Sequence, residues 1–226
     1  GPILHILDRK SDGERLATAS TDATIALWTL GKADPPVMLI GHMGPVRDIA
    51  WSPDGQLLAS GSDDGALMVW PASGDSAPRV LCCHPVGLDK DTSTLNPEAG
   101  ITHVAWSPDG QRLLSASQFT AASVGKTLLR VWNLDAGGGT IDLGVNQLTY
   151  TARFSPDGKS LAAAHADRAV RVWSLDQPER PPVALRGHLA EIRDLSWSPD
   201  GQYLATASND RTARVWDLCG ERPPIA

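Results

Sequence analysis

The string Ser-Pro-Asp-Gly occurs four times, ending at Gly55, Gly110, Gly158 and Gly201, and a shortened copy, Ser11-Asp12-Gly13, precedes them. Each copy leads into a run of small residues and then a tryptophan. The step from Gly to Trp is 15 residues for Gly13 to Trp28, Gly55 to Trp70, Gly158 to Trp173 and Gly201 to Trp216, and 22 for Gly110 to Trp132. From each Trp to the next Gly the chain takes 27, 40, 26 and 28 residues, so the unit is about 42 residues long. A repeat of this kind restricts the fold to an array, because one unit cannot bury its apolar face alone. The length suits a four-stranded propeller blade of roughly 40–45 residues.

Each unit reads as short strands. In the second unit these are 46–52, then a Pro-Asp-Gly turn, 56–62, a second turn at Asp63-Asp64-Gly65, and 66–70. Pro presets φ, Asp bonds its own backbone and Gly tolerates positive φ, so both turns have a mechanism. A fourth strand follows a Pro-Pro pair at 37–40 and 183–186. No segment of ten residues has a helical period. The third unit departs from the pattern, with about 13 extra residues before its Ser-Pro-Asp-Gly and 7 after it.

Gly-His, the Pro-Asp-Gly turn, Ser-x-Asp and Trp-Asp thus recur in one phase. The fifth unit carries them as Gly187-His188, Ser198 to Gly201, Ser208-Asn209-Asp210 and Trp216-Asp217. The second has Gly41-His42, Ser62-Asp63-Asp64 and Trp70, with Pro71 in place of the last Asp. These motifs resemble the WD-repeat β-propeller family over nearly the whole chain. The resemblance implies an all-β propeller of four-stranded antiparallel blades. Five blades are expected, at about 3–40, 41–82, 101–143, 148–186 and 187–226, with insertions at 83–100 and 118–126. The dense Ser-Pro-Asp-Gly spelling is similar to bacterial arrays that sit behind a signalling ATPase or kinase domain.

The resemblance also implies a structural tetrad in which an imidazole bridges a turn carboxylate and a hydroxyl and an indole N–H closes the network. Carried over, it is His42, Ser62, Asp64 and Trp70 in the second blade, and His188, Ser208, Asp210 and Trp216 in the fifth. A satisfied buried network fixes one geometry. The first blade retains Ser20, Asp22 and Trp28. The fourth has Asp167 and Trp173, with His165 in place of Ser, and the third keeps Trp132 alone, with Lys126 where Asp would fall. The remaining tryptophans, Trp51, Trp106 and Trp197, end first strands. All eight therefore have packing addresses, which weakens an aromatic ligand cage.

The chain opens in phase with a first strand, and Pro223 to Ala226 match the start of an outer strand at Pro181 to Ala184. Seven blades are commonest in the family. The expectation is a partial or fragment propeller, part of a larger ring or completed by another chain, with a closed five-blade ring as the alternative. An open ring exposes the flat apolar faces of its terminal blades.

Composition narrows function. The net charge of −6 opposes a general nucleic-acid surface. No apolar run reaches the ~20 residues of a membrane helix. Three cysteines, Cys82, Cys83 and Cys219, do not form a secreted disulfide framework. A reducing, cytoplasmic setting is the default. Residues 120–127 (TAASVGKT) nearly spell a phosphate loop, but Thr120 opens it and strand-like residues follow. Cys82-Cys83-His84 has no second pair for a zinc site and falls where Gly-His stands elsewhere. The His–Asp pairs have no nucleophile beside them. His5, His103 and His165 show no paired constellation. No catalytic residue, cofactor or metal is expected.

What remains is a surface for protein partners. Arg47-Asp48 and Arg193-Asp194 recur in one phase, which fits either an ordinary rim position or a partner contact. The third-blade insertions open on one face and stand side by side. They carry Asp89, Lys90, Phe119 and Lys126 as candidate partner-binding residues. The expected function is a non-catalytic scaffold displaying loops. A sensor segment of a larger bacterial signalling protein, or a propeller enzyme or ligand binder, are the alternatives. Self-association or ring completion by another chain is an expected mode of partnering.

Overall fold

The computed structural model describes residues 3–9, 13–81, 99–119, 127–135, 138–144 and 148–219, with the backbone alone for 3–9, 99, 118 and 119. Five antiparallel sheets follow one another along the chain. Blade 1 is β1 (Ile3–Arg9), β2 (Arg15–Ser20), β3 (Thr24–Thr29) and β4 (Val37–Ile40). Blade 2 is β5 (Val46–Trp51), β6 (Leu57–Ser62), β7 (Leu67–Pro71) and β8 (Arg79–Val80). Blade 3 is β9 (Ala99–Trp106), β10 (Arg112–Phe119), β11 (Thr127–Asn133) and β12 (Thr140–Asp142). Blade 4 is β13 (Thr149–Phe154), β14 (Ser160–His165), β15 (Ala169–Ser174) and β16 (Val183–Arg186). Blade 5 has β17 (Ile192–Trp197), β18 (Tyr203–Ser208) and β19 (Ala213–Asp217) among the described residues. Within each sheet, sequential strands are neighbours. The chain is all-β, with the architecture of a partial WD-repeat propeller.

The first turn is closed alike in blades 2 to 5. Gly55, Gly110, Gly158 and Gly201 have φ between 66° and 70°, and each N–H donates to the Ser carbonyl three residues back. The Asp of each turn accepts from the Ser hydroxyl, at 2.6 Å for Ser52 to Asp54. The second turn has Gly65 in the left-handed region in blade 2, but Ala23, Arg168 and Arg211 take that conformation in blades 1, 4 and 5.

Blades stack through a repeating two-faced pattern. One face of blade 1 (Ala17, Ala19, Ile25, Leu27) packs on Leu58, Met68 and Trp70 of blade 2. Ala59, Leu67 and Val69 then meet Ile101, Leu113 and Trp132 of blade 3. Leu114, Ala116, Leu129 and Val131 meet Leu161, Ala163 and Trp173 of blade 4. Ala162, Ala164 and Val170 meet Ile192, Leu204 and Trp216 of blade 5. The matching residues of blade 5, Ala205, Ala207, Ala213 and Val215, are exposed. Trp28, on the opposite end face of the array, is also exposed, whereas Trp70, Trp132, Trp173 and Trp216 are buried.

The stems of the third-blade insertions are strand. β9 starts at Ala99 and β10 runs to Phe119, and Gln118 pairs with Gly100 and Phe119 with Ala99. The ladder therefore takes in the last residues of the first insertion and the first residues of the second.

First strands carry one further regularity. Val46 opposes Ser62 and Asp48 opposes Gly61, leaving Arg47 as an extra residue. Thr102, Tyr150 and Arg193 are extra in the same way. A bulge twists its strand and re-aims a side chain. Here it sets the side chains of Arg47, Tyr150 and Arg193 on Asp63 and Glu191, at the end of the blades that carries the Gly-His loops.

Candidate functional site

The site is a rim built on two buried networks. In blade 2, His42 Nδ1 lies 3.0 Å from Asp64 Oδ2 and Nε2 lies 2.7 Å from Ser60 Oγ. Trp70 Nε1 donates to the same Ser60 oxygen at 2.7 Å. The Ser60 hydroxyl is thus shared between the Trp70 indole, which only donates, and the His42 ring. In blade 5, His188 is 2.8 Å from Asp210 Oδ2 and 2.8 Å from Thr206 Oγ1, which accepts from Trp216 at 2.9 Å.

The hydroxyl is thus Ser60 or Thr206, not Ser62 or Ser208. Ser62 instead donates to the Gly44 carbonyl at 2.9 Å and accepts from the Asp64 N–H at 3.2 Å. Ser208 bonds the Ala190 carbonyl and the Asp210 N–H likewise. The reason is cross-strand geometry. Trp70 opposes Leu58, so Ser60 is its diagonal neighbour, while Ser62 lies one side-chain step farther on at the strand end. Ser115 and Thr18 hold the matching positions and accept from Trp132 and Trp28. The readable signal was a hydroxyl ten residues before Trp in blades 1, 2 and 5.

Blade 4 has Ala163 at that position. Its His165 is fully buried against Trp173, edge-on with centroids 5.8 Å apart. Thr149 lies 3.0 Å from its Nδ1, and Nε2 has no partner. Burial, with Arg171 nearby, pushes its pKa down to about 4. His103 also has a partner, contrary to expectation: its Nδ1 is 2.8 Å from Asp48 Oδ2 in blade 2.

Asp64 is held down to about 2. Burial raises it, but the hydrogen bonds from His42 and from the Met43 and Ala66 N–H groups outweigh burial. Asp210 also lies well below the ordinary carboxylate range, chiefly through Thr212, with Leu189 N–H and His188 adding to it against burial. Both carboxylates therefore anchor the loop that follows Gly-His, and that loop places an apolar side chain in solvent. Met43 is 94 % exposed and Leu189 77 %.

The bulged arginines stand beside them. Arg47 Nε donates to Asp63 Oδ1 at 2.7 Å and its NH2 pairs with Oδ2. In blade 5, Asn209 occupies the position of Asp63, and Arg193 turns to Glu191 at 2.6 Å. Arg193 also sits 5.1 Å from the Tyr150 ring centroid, and the Tyr150 hydroxyl donates to Glu191 at 2.8 Å. Tyr150 was not anticipated; its bulge position was the missing signal. The side chain of Phe119, and all of Asp89, Lys90, Lys126, Cys82, Cys83 and His84, lie outside the described residues. Among the described residues no group of three His, Cys, Asp or Glu is placed to hold a metal, and no helix is long and apolar enough to cross a membrane.

A model of the family "WD domain, G-beta repeat" matches residues 34–71, 90–133, 142–174 and 180–217, more than half of the chain. The chain is 32% identical over 127 residues to apoptotic protease-activating factor 1 of Rattus norvegicus, covering 56% of this chain and 9% of that protein. It is 29% identical over 170 residues to nuclear distribution protein PAC1 of Coccidioides posadasii, covering 73% and 35% respectively. It is 29% identical over 182 residues to WD repeat-containing protein slp1 of Schizosaccharomyces pombe, covering 76% and 33%. The matched region is thus a minor part of each relative. These relatives are eukaryotic and lend no support to a bacterial type of array.

Proposed function

The chain belongs to the WD-repeat family, and on that premise we propose that it is a non-catalytic scaffold holding a protein partner on its loop face. The observation that carries the reading is the pair Met43 and Leu189. Each is an exposed apolar side chain held on a carboxylate-anchored loop, with a bulged arginine nearby. Met, Arg and Tyr, the residue types of Met43, Arg47, Arg193 and Tyr150, are enriched at protein interfaces. A rigid display lowers the ordering entropy that binding costs. Asp89, Lys90, Phe119 and Lys126 of the third-blade insertions stay in the proposal as candidate contacts on sequence grounds. A protein partner, no nucleic acid and a cytoplasmic setting complete the reading.

The test compares co-purifying proteins for the wild type and for the double variant Met43→Asp, Leu189→Asp. At least tenfold depletion of a specific protein, with an unchanged melting transition, is expected. An unchanged set of co-purifying proteins contradicts the reading.

A further inference from the structure

At the end of the blades opposite the loop face, each seam between blades leaves a cleft. The residue following each third strand bonds back in the same way: Ala72 N to Gln56 O, Leu134 N to Gln111 O, Leu175 N to Lys159 O and Leu218 N to Gln202 O. These four residues are therefore equivalent, and so are the clefts beside them.

Three of the clefts hold an arginine of the chain itself. Between blades 1 and 2, Arg15 donates to the Ala72 carbonyl. Between blades 2 and 3, Arg79 reaches the Leu134 carbonyl at 3.4 Å from the outer strand. Between blades 3 and 4, Arg112, at the position of Arg15, donates to the Gly158 carbonyl at 3.3 Å and lies 4.0 Å from Asp176.

Among the described residues, the cleft between blades 4 and 5 has no such arginine. Ser160 stands at the position of Arg15 and Arg112, and Val183 at that of Arg79. The space left is about 480 Å³, within the range of small-ligand sites. It is lined by Asp157, Asp200 and Asp217, by the Trp197 ring, and by Leu185 and Leu218. Gly201 is also in the lining, and its carbonyl is the counterpart of the Gly158 carbonyl that accepts from Arg112. Blade 5 alone has a carboxylate directly after its Trp; the other blades have Thr29, Pro71, Asn133 and Ser174. Asp157 and Asp200 spend Oδ1 on their turns, accepting from Ser155 and Ser198 and from the next backbone N–H groups. Lys159 is the cation that acts on Asp157.

We propose that this cleft binds the arginine side chain of a partner protein, its alkyl stem on Trp197 and Leu218 and its guanidinium among the carboxylates and the Gly201 and Leu218 carbonyls. Planar guanidinium suits convergent carboxylate and carbonyl acceptors better than a point-like ammonium does. The site is separate from the loop face and does not depend on the reading given for it.

The test is an NMR titration of the full chain with N-acetyl-arginine amide, its citrulline counterpart and an arginine-containing hexapeptide. Saturable shifts of the Trp197 indole and the Gly201 and Leu218 amides are expected. Citrulline should bind at least tenfold more weakly, and the peptide more tightly than the free amide. Ser160→Arg, which fills the cleft as Arg112 does, should abolish the shifts, and Val183→Arg provides a second variant at an exposed position. Equal binding of citrulline, or unchanged binding in both variants, overturns the proposal. Equal binding of peptide and free amide overturns the assignment to a partner protein.

Discussion

His103 Nδ1 lies 2.8 Å from Asp48 Oδ2 across the seam between blades 2 and 3. The same oxygen accepts from the Val104 N–H at 2.9 Å. Trp106 adds a bond from its indole to the Ala50 carbonyl at 2.9 Å, so inner strands are joined by polar as well as apolar contacts. Trp197 repeats this on the Arg153 carbonyl at 3.2 Å.

Asp48 and Asp194 hold the same repeat position but differ in surroundings. The Asp48 side chain is 14 % exposed and Asp194 64 %. Asp48→Ala should cost about 2 kcal/mol, because a buried backbone donor loses its acceptor. Asp194→Ala should cost less than about 1 kcal/mol. Urea denaturation of the two variants checks the difference.

Ser60→Ala strips two buried partners, His42 Nε2 and the Trp70 indole, of their shared hydroxyl. A loss of about 2–3 kcal/mol is expected, against about 1 kcal/mol for Ser62→Ala. Thr206→Ala and Ser208→Ala should rank the same way. Equal losses would mean that the hydroxyl is not the hub of the network.

Stability should fall in acid in two separate ranges. His165 binds a proton in the unfolded chain near pH 6.5 but, when folded, only near pH 4. The unfolded state thus takes up more protons between these values, and stability drops as pH falls through that window, by roughly 3 kcal/mol in all. His165→Gln should flatten this limb in chemical denaturation measured from pH 7 to pH 4. Asp64 is depressed to about 2, so its contribution is complete above the ordinary carboxylate range and is lost as pH falls toward 2. Asp64→Asn should remove part of that lower limb and leave the upper one unchanged.

Arg47 is bound to Asp63 on the exposed rim. Exposed pairs contribute about 0–1 kcal/mol. Arg47→Ala and Arg193→Ala should therefore keep the wild-type melting temperature within a few degrees. Any loss of partner binding in them is then a surface effect.

The fold was legible because the spacing of Gly and Trp sets strand phase, and Pro-Asp-Gly has one local geometry. The pairing of His42 with Asp64 was legible from motif spacing alone. The hydroxyl was misplaced because Ser60 and Ser62 lie on the same face of β6, and only the diagonal to Trp70 separates them. His103 read as unpaired because its partner comes from the preceding blade, 55 residues earlier. The rim position of Arg47, Tyr150 and Arg193 depends on a one-residue bulge, which shifts register without changing composition. The cleft between blades 4 and 5 was hidden for a similar reason, since Arg79 and Arg112 reach the other seams from different strands.

The central claim is that the Gly-His end of the blades holds a protein partner. A photo-activatable residue placed at position 43, at position 189, and at exposed Gln56 on the opposite end tests it in the native cell extract. The account predicts one partner cross-linked from positions 43 and 189 and absent from position 56. Cross-linking of equal yield from all three positions, or from position 56 alone, would contradict it.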